Sequence, residues 1–99
     1  MALKLIKGNE IIDNLNDDIT IINFYADWCG PCKMMSPIFD ELSQEYNILK
    51  INVDSNKDAA LEFGVQGIPA TFIFKNKEKK LFETGYLPKD ALLAKIKEL

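Results

Sequence analysis

Two hydrophobic periods alternate along this chain, and the switches between them mark its elements. Residues 3–6 predict a short first strand, and Asn9, as an N-cap after Gly8, predicts a short helix carrying Ile11, Ile12 and Leu15. The run Ile19-Thr20-Ile21-Ile22-Asn23-Phe24-Tyr25-Ala26 is nearly all apolar and rich in β-formers, which predicts a strand covered on both faces. Beyond it Met35, Ile38, Phe39, Leu42 and Tyr46 return at helical spacing, predicting a helix over 32–46 with a bend at Pro37. Residues 48–53 predict a strand parallel to the first two, because long connections separate them. Ser55 or Asn56 caps a short helix through Phe63, and Gly64 ends it. Residues 70–75 and 80–84 lie only a few residues apart around Asn76-Lys77-Glu78, so they form an antiparallel hairpin. Pro88, at the first position of a last helix, precedes Leu92, Leu93, Ile96 and Leu99 on one buried side. The result is an α/β chain with a mixed sheet of about five strands flanked by about four helices. No repeat, linker or low-complexity segment interrupts it, so residues 1–99 read as one domain.

The two cysteines fall in Trp28-Cys29-Gly30-Pro31-Cys32-Lys33, where the buried strand gives way to the helix. The first N–H groups of a helix are unpaired and carry the positive end of its dipole, so a thiolate placed there is stabilised and its pKa falls. Cys29 gains most. Cys32, three residues on, lies on the same side with its Cα roughly 5 to 6 Å away, a separation that a disulfide spans without backbone movement. Pro31 loses nothing by lacking an N–H in a first turn, and it restricts the ring between the sulfurs. The placements predict that the Cys29 thiolate attacks a disulfide of another protein and that Cys32 then attacks Cys29, releasing the reduced substrate. Two buried thiols or a structural disulfide form the competing reading, which a Cys-x-x-Cys beside a βαβ pattern disfavours.

Composition narrows the setting. Hydrophobic residues make up 47% of the chain, enough for a packed core without a metal or a disulfide framework. A net charge of -3 offers no basic patch for nucleic acid or anionic membrane. Neither an apolar leader nor a bilayer-length run is present, which predicts a cytoplasmic protein, in a compartment where a reversible cysteine pair is catalytic more often than structural. Two cysteines and no histidine cannot close a tetrahedral zinc site within one chain, so no metal is expected.

The motif from Trp28 to Lys33 is identical to the active-site motif of the thioredoxin family, and the resemblance extends over nearly the whole chain. Pro37 matches the family's helix proline, Lys50-Ile51-Asn52-Val53-Asp54 its third strand, Gly67-Ile68-Pro69-Ala70-Thr71 its cis-proline loop and Gly85 its late glycine. The resemblance implies a thioredoxin fold and protein disulfide reduction by a monomer that needs no cofactor beyond the Cys29–Cys32 disulfide. It implies protein disulfides as substrates and a thioredoxin reductase as electron donor. Gly30-Pro31 resembles the reducing branch of the family, since oxidising relatives usually carry a histidine between the cysteines. The Ile68-Pro69 bond is then cis and lies against the cysteine pair, with the Ile68 backbone free to pair with an extended substrate. Trp28, Gly30, Pro31, Ile68 and Pro69 make a shallow docking surface, with Lys33 as a supporting residue. Gly85 and Tyr86 either join it or simply end a strand. A binding module that docks partners around Trp28 without turnover is the alternative function.

Two positions, Asn23 and Lys77, depart from the family pattern, and a third, Lys50, keeps the family residue but lacks its usual partner. Asn23 stands where a buried aspartate usually exchanges a proton with the second cysteine, and an amide cannot titrate, so Cys32 must give its proton to water or to the departing thiolate. A hydrogen-bonded core amide without catalytic part is the other reading of Asn23. Lys50 occupies the place of that aspartate's lysine partner, and its charge is expected to reach water or an acid such as Asp54 or Asp27. Lys77 replaces a turn glycine, which predicts either another turn type or mild strain.

Overall fold

In the computed structural model, which describes residues 2–99, the long apolar run becomes the second strand of a five-stranded sheet ordered β1-β3-β2-β4-β5. The strands are β1 (Ala2–Leu5), β2 (Ile19–Tyr25), β3 (Asn47–Asn52), β4 (Ala70–Lys75) and β5 (Glu78–Thr84). β1, β3 and β2 run parallel, while β4 is antiparallel to β2 and β5 to β4, so the sheet is mixed. The helices are α1 (Ile11–Asn14), α2 (Gly30–Leu42), α3 (Lys57–Glu62) and α4 (Lys89–Lys97).

Because strand side chains alternate, β2 feeds two cores. Ile19 and Ile21 join Ile48 and Ile73 against Met35, Phe39 and Leu42 of α2 and Leu92 and Ile96 of α4. On the opposite face Ile22 and Phe24 pack with Leu49, Ile51 and Phe72 against Ile11 of α1 and Ala59 of α3. Both faces of β2 are covered, which is why its sequence is nearly all apolar.

Several boundaries differ from the sequence reading, each for a local reason. The first helix opens as a 3-10 turn, Gly8–Glu10, with Asn9 inside it; the Glu10 carboxylate accepts the Lys7 N–H at 2.8 Å, so Lys7 holds the cap position. α2 begins two residues earlier than expected, runs through Pro37 and stops at Leu42, where the Ser43 hydroxyl donates to the Asp40 carbonyl at 2.6 Å. Asn56 does precede α3, but its side chain accepts from Gly8 N–H and donates to the Asn52 carbonyl, tying α3 to the 3-10 turn. Gly64 follows α3 with φ 71°, as a terminating glycine should. Pro88 is the N-cap of α4, one position before the predicted one, because its ψ of 156° is extended.

β5 starts at Glu78, so the β4–β5 connection is the two-residue turn Asn76-Lys77, with φ of 53° and 66°. This is the primed hairpin turn, and the lysine adopts the left-handed conformation that a glycine would take without a Cβ penalty.

Candidate active site

The buried strand β2 ends at Tyr25, and the chain turns through Ala26, Asp27 and Trp28 into α2. Cys29 is the N-cap of that helix, with extended φ and ψ of -87° and 112°, and its own N–H bonds the Ala26 carbonyl at 3.2 Å. Its sulfur accepts the backbone N–H of Cys32 at 3.3 Å, one of the donors that the helix itself leaves unpaired. Pro31 occupies the first turn. Cys29 and Cys32 form a disulfide with Cα atoms 5.2 Å apart, inside the separation read from helical geometry. Both side chains are about 95% covered, in a cluster with Ala26 against which Tyr25, Val53 and Ile68 pack. A Cβ added to Gly30 would touch nothing within 4 Å, so the space before the pair is open.

The Ile68-Pro69 bond is cis, and Ile68 belongs to the cysteine cluster. Among the described residues the Ile68 backbone makes no hydrogen bond. The Pro69 carbonyl accepts the Gly85 N–H at 2.8 Å, and Gly85 follows β5 with φ 101°, a conformation suited to glycine. Gly85 thus ends a strand and also holds the proline loop. Tyr86 comes next, exposed and outside the cysteine cluster. Trp28 is 69% exposed and, with Val53, Ala60, Val65, Gly67 and Ile68, lines a cleft of about 190 Å³ beside the pair. Lys33 is exposed on α2 and free of ion pairs among the described residues.

The 33% of sequence shared with a solved asparagine-to-glutamine variant of thioredoxin from Halobacterium salinarum accompanies a TM-score of 0.90 over 97% of this chain and 88% of that one. A family model described as Thioredoxin matches residues 5–98. This chain belongs to the thioredoxin family. It is 38% identical over 96 residues to thioredoxin of Staphylococcus saprophyticus, covering 93% of this chain and 92% of that one. It is 43% identical over 89 residues to thioredoxin of Rickettsia typhi, covering 86% and 83%. Family membership and the Cys29–Cys32 disulfide together make the protein a protein-disulfide oxidoreductase, acting as a disulfide reductase on protein substrates through a redox-active disulfide. Among the described residues no helix is long and apolar enough to cross a membrane.

On the α2 side of the sheet, Asn23 pairs in register with Lys50 of β3 and Thr71 of β4. Asn23 is buried, and its amide N–H reaches the Ala70 carbonyl only at 3.5 Å. The Thr71 hydroxyl is buried with no hydrogen-bond partner among the described residues. Lys50 is half-buried with its ammonium 4.6 Å from the centre of the Tyr25 ring. Burial lowers the Lys50 pKa from 10.5, opposed by attraction to Asp40 and then Asp27. Burial raises the Tyr25 hydroxyl above 10.0, reinforced by Asp27 and opposed by a hydrogen bond with Asn52. Of the acids expected near Lys50, Asp27 does attract it, after Asp40, which was not expected. Asp54 is corrected: it is engaged elsewhere, accepting the Trp28 indole N–H at 2.9 Å. Neither the Thr71 hydroxyl nor the Trp28–Asp54 bond was foreseen; strand alternation through 70–75 would have placed Thr71 beside Asn23.

Proposed function

We propose that Cys29 is the nucleophile and Cys32 the resolving residue of this reductase, within a single thioredoxin domain that spans the chain. The Cys29 thiolate attacks one sulfur of a protein disulfide; the new Cys29–substrate bond forms as the substrate S–S bond breaks, and the first substrate sulfur leaves as a thiolate. Deprotonated Cys32 then attacks Cys29, closing the Cys29–Cys32 bond and releasing the second thiolate. The substrate gains two electrons, the pair loses two, and the two cysteine protons reach the departing sulfurs through solvent. The observation that carries the assignment is the Cys32 amide directed at the Cys29 sulfur, which favours negative charge on that atom and gives no such help to the other.

Trp28, Gly30, Pro31, Ile68 and Pro69 form the docking surface, with Gly85 holding Pro69 in place and Tyr86 at its margin. The unpaired Ile68 backbone supports pairing with an extended substrate segment. A thioredoxin reductase in the cytoplasm returns electrons to the disulfide, and the protein acts as a monomer. The test is insulin reduction with such a reductase: Cys29→Ser must abolish turnover, and Cys32→Ser must accumulate a mixed disulfide at Cys29. Full turnover by Cys29→Ser would overturn the assignment. Partner binding without any reduction by the native chain would favour the docking-module reading.

A further inference from the structure

The loop after β3 carries Val53, which lines the cleft beside the cysteines, and Asp54, whose carboxylate holds the Trp28 indole. Residues 53–56 belong to no helix or strand, so local contacts must fix their shape. Asp54 and Ser55 are exposed, and burial does not set their backbone. The Asn52 side chain does. Its amide oxygen accepts the Asp54 N–H at 2.8 Å and the Ser55 N–H at 3.4 Å, and among the described residues those two groups have no other acceptor. This is an Asx turn, in which a side-chain oxygen takes the part of a backbone carbonyl.

We propose that Asn52 is a positioning residue for substrate docking: the turn around its amide oxygen sets where the Asp54 carboxylate stands, and hence where Trp28 lies. This inference rests on the reading of Trp28 as a docking residue. Both ends of the turn are anchored. Asn52 closes β3 in register with Tyr25 of β2, and the next N–H, that of Val53, bonds the Tyr25 carbonyl at 2.8 Å. Tyr25 and Val53 pack against the cysteine cluster, so the turn starts from a fixed point relative to the sulfurs. At its far end the Asn56 amide donates to the Asn52 carbonyl at 2.9 Å, while the Asn56 oxygen accepts the Gly8 N–H at 2.9 Å. A Cβ on Gly8 would clash with the Ala59 methyl, so the 3-10 turn and α3 meet without room to slide.

Removing the Asn52 oxygen leaves two exposed N–H groups that water can satisfy, so the loop loses its preferred shape at small cost to the fold. The effect reaches Trp28 through Asp54. Two substitutions on one path do not add, so with Asp54 already alanine the loss of Asn52 takes nothing more from docking. Thiol chemistry is untouched, because the Cys29 sulfur takes its N–H from Cys32 within α2. A small disulfide needs no docking surface and is indifferent to the change. Asn52 also hydrogen-bonds the Tyr25 hydroxyl, a contact that an aspartate oxygen at this position can keep.

The experiment compares a protein disulfide with a small one. Reduction of insulin and of 2-hydroxyethyl disulfide is measured for the native chain, Asn52→Ala, Asp54→Ala and the double variant, with dithiothreitol as reductant so that no second protein docks. Asn52→Ala should raise KM for insulin about threefold with kcat unchanged, and the double variant should also stay near threefold where independent effects would give about ninefold. All four chains should reduce the small disulfide alike. Asn52→Asp keeps an acceptor for the two N–H groups and should restore both KM and the native Trp28 emission. A native KM in Asn52→Ala, additive losses in the double variant, or equal losses with both substrates would overturn the proposal. If Asn52→Ala does not fold, Asn52→Ser, whose hydroxyl accepts the turn more weakly, should raise KM in the same direction by less. Trp28→Ala separates the two readings: a native KM there would sink the docking surface itself, whereas a raised KM there beside a native one in Asn52→Ala would sink this inference alone.

Discussion

The indole nitrogen of Trp28 donates a 2.9 Å hydrogen bond to the Asp54 carboxylate, joining the loop before the cysteines to the loop after β3. A large exposed aromatic ring is thereby held in one orientation beside the pair, so less conformational freedom is lost when a substrate docks against it. Asp54→Ala should raise KM for a protein disulfide by about threefold and cost less than about 1 kcal/mol of stability, because the bond is solvent-exposed. Trp28 is the only tryptophan, so its fluorescence reports the release directly. Unchanged emission and unchanged KM would remove Asp54 from this role.

Replacing Lys77 by glycine should stabilise the fold by about 1 kcal/mol. The lysine Cβ is unfavourable at φ 66°, and the benefit of relieving it exceeds the backbone entropy that glycine adds to the unfolded chain. The ion pair it would give up, with Asp17 at 3.8 Å, is exposed. Such a pair contributes little. Urea unfolding measures the difference, and a loss of stability would contradict the reading of this turn.

Lys50 also makes a prediction for stability against pH. Its folded pKa lies below the unfolded 10.5, so the unfolded chain binds this proton more tightly and the burial penalty is present at lower pH. Stability should therefore rise with pH through the window below 10.5 as Lys50 deprotonates. Tyr25 acts oppositely: its raised pKa makes stability fall as pH climbs above 10.0. Chemical denaturation of the native chain and Lys50→Met across alkaline pH separates the two, since only the native chain should show the rising limb. A parallel pair of curves would mean that Lys50 titrates alike in both states.

The order of strands and helices along the chain, the covering of β2 on both faces and the cysteine separation were legible because each depends on local periodicity or fixed helical geometry. The misplaced boundaries at Asn9, Tyr46 and Pro88 turned on single hydrogen bonds or one backbone angle, which residue type alone does not determine. Side-chain pairing across the fold was harder to read. Asp54 was a plausible partner for Lys50 by charge, yet it meets Trp28, because what faces what above the strand ends depends on how the loops after β2 and β3 cross. Asn23 was visible as a polar interruption of an apolar strand, whereas the Thr71 hydroxyl opposite it was hidden by threonine's ordinary suitability for strands.

Asn23→Asp tests what the missing acid means. A carboxyl buried at this position favours its protonated form, so its folded pKa rises above the ordinary aspartate value near 3.9. The variant should lose about 2 kcal/mol at neutral pH, a deficit that shrinks as pH falls through the raised pKa. Mixed-disulfide resolution should acquire a pH dependence from the new proton acceptor and become faster than in the native chain. An unchanged rate profile would show that this position takes no part in proton transfer.

The central claim is that the opening turn of α2 makes the Cys29 sulfur anionic. Titration of the reduced Cys32→Ser chain, in which Cys29 is the one remaining thiol, measures this by thiolate absorbance in the folded protein and in denaturant. The folded chain should ionise well below the free-cysteine value of about 8.5 while the denatured chain returns to it. Coincident titrations in the two states would contradict the account.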